Sequence, residues 1–186
     1  MDSLVVYESM FGNTEQLARA VVEGLRLDGL DADLVEVGRA PVGAHGDLDL
    51  LVVGAPTHAF SLSRPTTRAD AVRQGAPAGK AAYGLREWLG DSRVSHDLDD
   101  LPRLAVFDTR VTKVRHLPKA AGHKAARLGV RHGYPLLTKP VSFLVEDVQG
   151  PLADGELDRA VAWGRELASA TRIQVAAQRA RLSAPR

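Results

Sequence analysis

The sequence predicts an α/β domain built on a doubly wound parallel sheet, and three observations predict it. Apolar runs of strand length recur along the chain, amphipathic helical patterns separate them, and polar loops follow the first, third and fourth runs. Continuous apolar runs suit strands covered on both faces. Right-handed crossovers between them give five strands in the order 2-1-3-4-5, with ligands expected where the strand order reverses.

The strands are expected at Leu4 to Tyr7, Leu34 to Val37, Leu48 to Ala55, Leu104 to Phe107 and Val141 to Val145. The first helix is expected from Glu15 to Leu27, where Leu17, Val21 and Leu25 share a face and Gly29 follows the end. The second crossover, Gly38 to Asp47, holds Pro41, Gly43 and Gly46 and has room for about one helical turn. Further helices are expected at Ala81 to Leu89, Lys119 to Arg131 and Glu156 to Ala170. Residues 1 to 170 make one domain on this reading, and the basic stretch 171 to 186 reads as a frayed helical tail.

Composition narrows the function. The 186 residues contain no cysteine, so disulfide frameworks, thiol chemistry and cysteine-held metal centres are excluded, and a redox role needs a bound cofactor. With 24 basic and 23 acidic residues the net charge is +1, which marks neither a nucleic-acid binder nor a disordered chain. No apolar stretch approaches ~18 residues and no basic-then-apolar leader opens the sequence, so a cytoplasmic location away from membranes is the expectation.

The segment Ser9-Met10-Phe11-Gly12-Asn13-Thr14 joins the first strand to the first helix. A hydroxyl- and glycine-bearing loop at a helix N-terminus is an anion site, because the first amides lack intrahelical acceptors and the macrodipole favours negative charge. No Gly-x-x-x-x-Gly-Lys-Ser/Thr or Gly-x-Gly-x-x-Gly pattern is present, which points away from nucleoside triphosphates and dinucleotides and toward a terminal monophosphate. The plainer alternative is that Asn13 or Thr14 merely caps the helix.

This loop resembles the phosphate loop of flavodoxins, which grips the terminal phosphate of FMN. The resemblance implies FMN as cofactor, side-chain donors from Ser9, Asn13 and Thr14, and backbone amides from Met10, Phe11 and Gly12. It extends to Gly54-Ala55-Pro56-Thr57-His58-Ala59-Phe60, which is similar to the second flavin-contacting loop, and to Phe107-Asp108-Thr109-Arg110 at the third. On that basis Pro56, Thr57, His58, Ala59 and Phe60 form one wall of the ring site, with His58 or Phe60 offering a stacking face, and Asp108, Thr109 and Arg110 form the other. Flavodoxins often present a tyrosine in the third loop; this one has none. Val141 to Val145, Gly150-Pro151-Leu152 and the helix with Trp163-Gly164 look like the last unit of the short-chain type.

Energetics require more than the first loop. Nanomolar FMN binding needs about 12 kcal/mol. A helix terminus contributes roughly 0.3 to 2 kcal/mol and each charge-assisted hydrogen bond about 1.5 to 3, so the ring must be held as well. The resemblance implies electron transfer with a redox partner protein or a small-molecule donor or acceptor. Two other readings stay open: an FMN-dependent NAD(P)H or quinone oxidoreductase, and a binding module of the same fold that has lost flavin. Many flavodoxin carriers are acidic; here, with a pI near 8.1, that docking charge is missing or reversed. The polar segment Ser61 to Gly79, with Arg64, Arg68 and Arg73, has the length of a binding loop for an acidic protein, a carboxylate substrate or nicotinamide-cofactor phosphates.

Three histidines, His116, His123 and His132, fall in the fourth connection, but no His-Glu-x-x-His spacing accompanies them and no metal site is expected. Glu8-Ser9-Met10-Phe11-Gly12 is not a Gly-x-Ser-x-Gly elbow, which argues against a serine hydrolase. The acidic run Asp97 to Asp100 reads as a surface turn.

Overall fold

The structure is a computed structural model and describes residues 1–43, 47–92, 101–116 and 121–182. Five strands, β1 (Asp2–Tyr7), β2 (Asp31–Glu36), β3 (Leu50–Pro56), β4 (Arg103–Val111) and β5 (Val141–Val145), form one sheet in the order β2-β1-β3-β4-β5. All neighbouring pairs are parallel. The expected topology is therefore the observed one. Among the described residues five α-helices cover the sheet: α1 (Asn13–Leu27), α2 (Pro65–Arg73), α3 (Leu85–Asp91), α4 (Ala121–Arg131) and α5 (Glu156–Leu182).

The continuous apolar runs work as the sheet demands, because alternate residues enter different cores. Val5, Tyr7, Val52, Phe107 and Phe143 pack with α1 and α5, whereas Leu4, Val6, Val53, Leu104 and Val106 pack with α3 and α4. On the α1–α5 side, Phe107, Phe143 and Trp163 meet edge to face with centroids 5.7 to 6.1 Å apart. Arg159 lies over Phe143, its Cζ 4.3 Å from the ring centre.

Helices α1 and α5 touch backbone to backbone. A Cβ at Gly24 would lie 2.1 Å from the Val161 carbonyl oxygen, and one at Gly164 2.4 Å from that of Val21. Beyond this contact Asp28, at the end of α1, receives Arg165 Nε at 2.9 Å and also pairs with Arg172. These contacts carry α5 unbroken past Ala170 to Leu182, and Thr171 is fully buried in it, its hydroxyl donating to the Leu167 carbonyl at 2.8 Å.

The segment Ser61 to Gly79, expected to be irregular, contains α2. Pro65 occupies its first turn, where no N–H is needed, and Thr67 Oγ1 accepts the Arg64 N–H at 2.9 Å. α3 starts at Leu85, after a short 3-10 turn at Ala78–Ala81, and the second crossover begins with a 3-10 turn at Val37–Arg39. The run Asp97 to Asp100 lies outside the described residues, as do 117–120 ahead of α4. Among the described residues no helix is long and apolar enough to cross a membrane.

Candidate functional site

β1, β3 and β4 end side by side, with Tyr7 paired to Gly54 and Pro56 to Thr109. Their loops enclose a cleft of about 290 Å³ at the carboxyl edge of the sheet. Ser9, Met10, Phe11, Asn13, Thr14, Pro56, Thr57, His58, Ala59, Thr109 and Arg110 all line it. One cleft thus unites the three sequence-distant loops.

Its floor is the start of α1. Gly12 is the N-cap, held at φ +90°, and no side chain caps the helix. The alternative in which Asn13 or Thr14 serves as an ordinary cap is thereby corrected: both lie inside the first turn, nearly buried. The Thr14 and Thr109 hydroxyl oxygens are 3.3 Å apart. Gly12 itself does not line the cleft, because its amide donates to Ser9 Oγ at 3.1 Å and closes the loop. Met10 is buried against Ala71 and Ala76, so the loop leans on α2.

The second loop is a hairpin. His58 and Ser61 exchange backbone hydrogen bonds at 2.9 and 3.0 Å around Ala59 and Phe60, whose φ angles are +46° and +60°. Such a primed turn needs left-handed backbone at both central positions, usually supplied by Gly, Asn or Asp, and costs roughly 1–3 kcal/mol for each residue so strained. Phe60 consequently sits at the tip, 44 % exposed and outside the cleft lining. The expected stacking face at Phe60 is not in the cleft; His58 is. Burial holds the His58 imidazole pKa below its ordinary value, against a hydrogen bond with the Thr67 backbone and with help from the Arg68 cation. Thr57 Oγ1 accepts the Ala121 N–H at 3.2 Å, tying this wall to α4.

In the third loop, the strand pleat separates Asp108 from Thr109. Thr109 and Arg110 line the cleft, but Asp108 points behind it, fully buried, with Oδ2 accepting the Gly122 N–H at 2.7 Å. Asp108 is a support, not a wall. Burial raises its pKa, opposed by hydrogen bonds from Gly122 and Ser142 and by the charge of Arg110, whose Nε lies 3.7 Å from Oδ1. Arg110 Nη1 donates to the Arg115 carbonyl at 3.1 Å.

Further cleft residues come from elements the sequence did not advertise. α2 supplies Thr67, Asp70 and Ala71, Gln74 follows it, and Val145 and Val148 come from the end of β5. Gln149 Nε2 donates to the Gln74 carbonyl at 2.9 Å, joining these two sides. Pro65 and the Thr67 spacing were the available signals for α2. Arg68, read as a partner-facing cation, is 1 % exposed and donates to Ser63 Oγ and Glu87 Oε2 at 3.0 and 3.1 Å.

Beneath the first loop lies Glu8, 2 % exposed. Oε2 accepts the Leu85 N–H at 2.8 Å, while Oε1 has no hydrogen-bond partner among the described residues. Burial pushes its pKa up, only partly countered by hydrogen bonds from Ser63 and Leu85 and by Arg68.

Residues 5–68 match the family model for flavodoxin. Solved structures that superpose on nearly the whole chain include a flavodoxin from the domain Archaea (16 % identity, TM-score 0.61, covering 92 % of this chain and 99 % of that one). Flavodoxin 1 from Bacillus cereus aligns at 14 % identity and TM-score 0.62, covering 91 % and 98 %. A Streptococcus pneumonia flavodoxin aligns at 22 % and 0.59, covering 91 % and 99 %. No curated protein matched the chain. The fold is flavodoxin-like. The matched segment contains the first two cleft loops and reaches into α2.

Proposed function

We propose that the cleft binds FMN and that the protein transfers electrons. The observation that carries this reading is the start of α1, which opens without a side-chain cap onto a cleft bounded by the loops after β1, β3 and β4. Helix amides, Asn13 and Thr14 suit a terminal phosphate, and the absence of a lysine in the loop suits a monophosphate over a triphosphate. Pro56, His58, Val145 and Val148 offer mostly apolar surface for a flat ring, with Thr57, Thr109 and Arg110 as polar contacts. The residues present fit the cofactor.

FMN supplies the redox chemistry when bound; the protein supplies position and electrostatics. Arg110 places a cation at one wall, which favours a negatively charged reduced ring. The neutral His58 imidazole offers a face without adding a second charge.

Titration of the purified protein with FMN tests the reading. Flavin fluorescence is expected to be quenched up to one equivalent, with riboflavin binding more weakly. Unchanged free-flavin emission overturns it. Once loaded, the protein is expected to be reduced through another redox protein; direct bleaching by NAD(P)H identifies an oxidoreductase instead.

A further inference from the structure

Residues 101–145, which form β4, α4, β5 and their connections, hold nine of the 24 Lys and Arg residues and one of the 23 Asp and Glu residues. That one acid is Asp108, which is fully buried. The rest of the chain carries 15 basic and 22 acidic residues. A net charge of +1 therefore conceals two opposed regions.

The positive region has a defined surface. α4 buries Ala121, Gly122, Ala125, Ala126 and Gly129 and exposes Lys124, Arg127 and Arg131, spaced so that they share one face. Lys113 and Arg115 are exposed on the connection from β4. None of these five is ion-paired among the described residues, whereas Arg19, Arg68, Arg73, Lys80, Arg159, Arg165 and Arg172 each have a carboxylate partner elsewhere. Like charges one turn apart destabilise a helix by roughly 0.2–0.5 kcal/mol per pair, so this face is kept against local preference.

The surface is continuous with the cleft. Arg110 lines the cleft and bonds the Arg115 carbonyl, and the first amide of α4 is held by Thr57. We propose that the exposed face of α4, with Lys113 and Arg115, is the docking surface for an acidic protein, seated so that its contact edge meets the cleft. Only in assigning that protein a redox role does the inference rest on the flavin reading. A protein fits this face better than its anionic rivals. The described patch exposes no Phe, Tyr or Trp for stacking nucleotide bases, and its exposed large apolar residues, Val130 and Leu136, make no wedge of the kind that enters a membrane.

The test uses the ¹⁵N-labelled full chain and an acidic [2Fe–2S] ferredoxin as the probe. At low ionic strength, shifts are expected on α4 and residues 112–116, vanishing at ~0.3 M salt where screening is short-ranged. The triple variant K124E/R127E/R131E is expected to weaken binding at least ~10-fold, with melting temperature and FMN titration unchanged. Binding that survives the triple reversal, or shifts mapping elsewhere, overturns the proposal. So does tighter binding of a DNA duplex or phosphatidylserine vesicles to the same face. Docking is read without flavin, so a negative FMN titration refutes the cofactor reading separately.

Discussion

The hydroxyls of Thr14, in the first turn of α1, and Thr109, at the end of β4, lie 3.3 Å apart and link the loop after β1 to the loop after β4. One of them donates to the other, so a ligand oxygen at the helix terminus meets a pair of hydroxyls instead of a single one. Thr14→Ala is expected to weaken FMN by ~10–100-fold, the loss of a hydrogen bond to a charged group. Riboflavin, which lacks the phosphate, is expected to lose little. Parallel fluorescence titrations measure both, and equal losses would sink the phosphate assignment.

Glu8 makes stability depend on pH. Its folded pKa is raised, so the neutral form fits the fold and stability is full below the ordinary carboxyl range. As pH rises the unfolded chain releases the proton first, and stability falls until the folded pKa is passed. Glu8→Gln removes that ionisation while keeping an acceptor for the Leu85 amide. Its melting temperature, relative to the parent, is expected to rise between pH 5 and pH 8; no relative change would show that Glu8 is ionised without penalty.

His58 titrates in the opposite sense. Burial holds its pKa below the ordinary histidine value, so its ring is expected to remain neutral where an exposed histidine is half protonated. An NMR titration of its Cε1 proton checks this, with a free histidine peptide as reference.

Arg110 governs potential in the flavin reading. A single charge ~8–16 Å from the reduced ring at an effective dielectric of ~20 is worth about 1–2 kcal/mol. Arg110→Gln is expected to lower the reduction potential of bound FMN correspondingly, measured by equilibration with redox dyes. A higher potential would place the guanidinium's influence elsewhere.

Gly24 and Gly164 define the tightest helix contact. Gly24→Ala is expected to destabilise the fold by about 1–3 kcal/mol or more, since a Cβ there meets fixed backbone atoms that cannot rotate away. Chemical denaturation reads this directly, and a neutral result would mean that α1 and α5 separate at little cost.

The parts of the molecule legible in the sequence are those encoded locally. Leu4 to Tyr7 and Leu50 to Ala55 announce buried strands by uninterrupted apolarity, and Ser9 to Thr14 announces a strand-to-helix loop by its place between them. α2 escaped because it buries little apolar surface of its own: its inward residues are Ala71 and the guanidinium of Arg68. Directions of side chains also escaped. Asp108 and Thr109 are neighbours in sequence, yet the pleat sends one behind the cleft and the other into it, and a hairpin with two left-handed residues carries Phe60 out of reach. The burial of Glu8 depends on the backbone of Leu85, a partner that no local pattern reveals.

The backbone contact between α1 and α5 has a consequence for the order in which the molecule is made. On a ribosome α1 emerges early and β1 can support it, but Val21 and Leu25 share their core with Trp163 and Leu167, which are translated far later. Until α5 arrives the nascent chain carries an open apolar seam beside Gly24. Folding of this face therefore waits for the last helix, and a chaperone that shields the seam during synthesis would act before the cleft is complete.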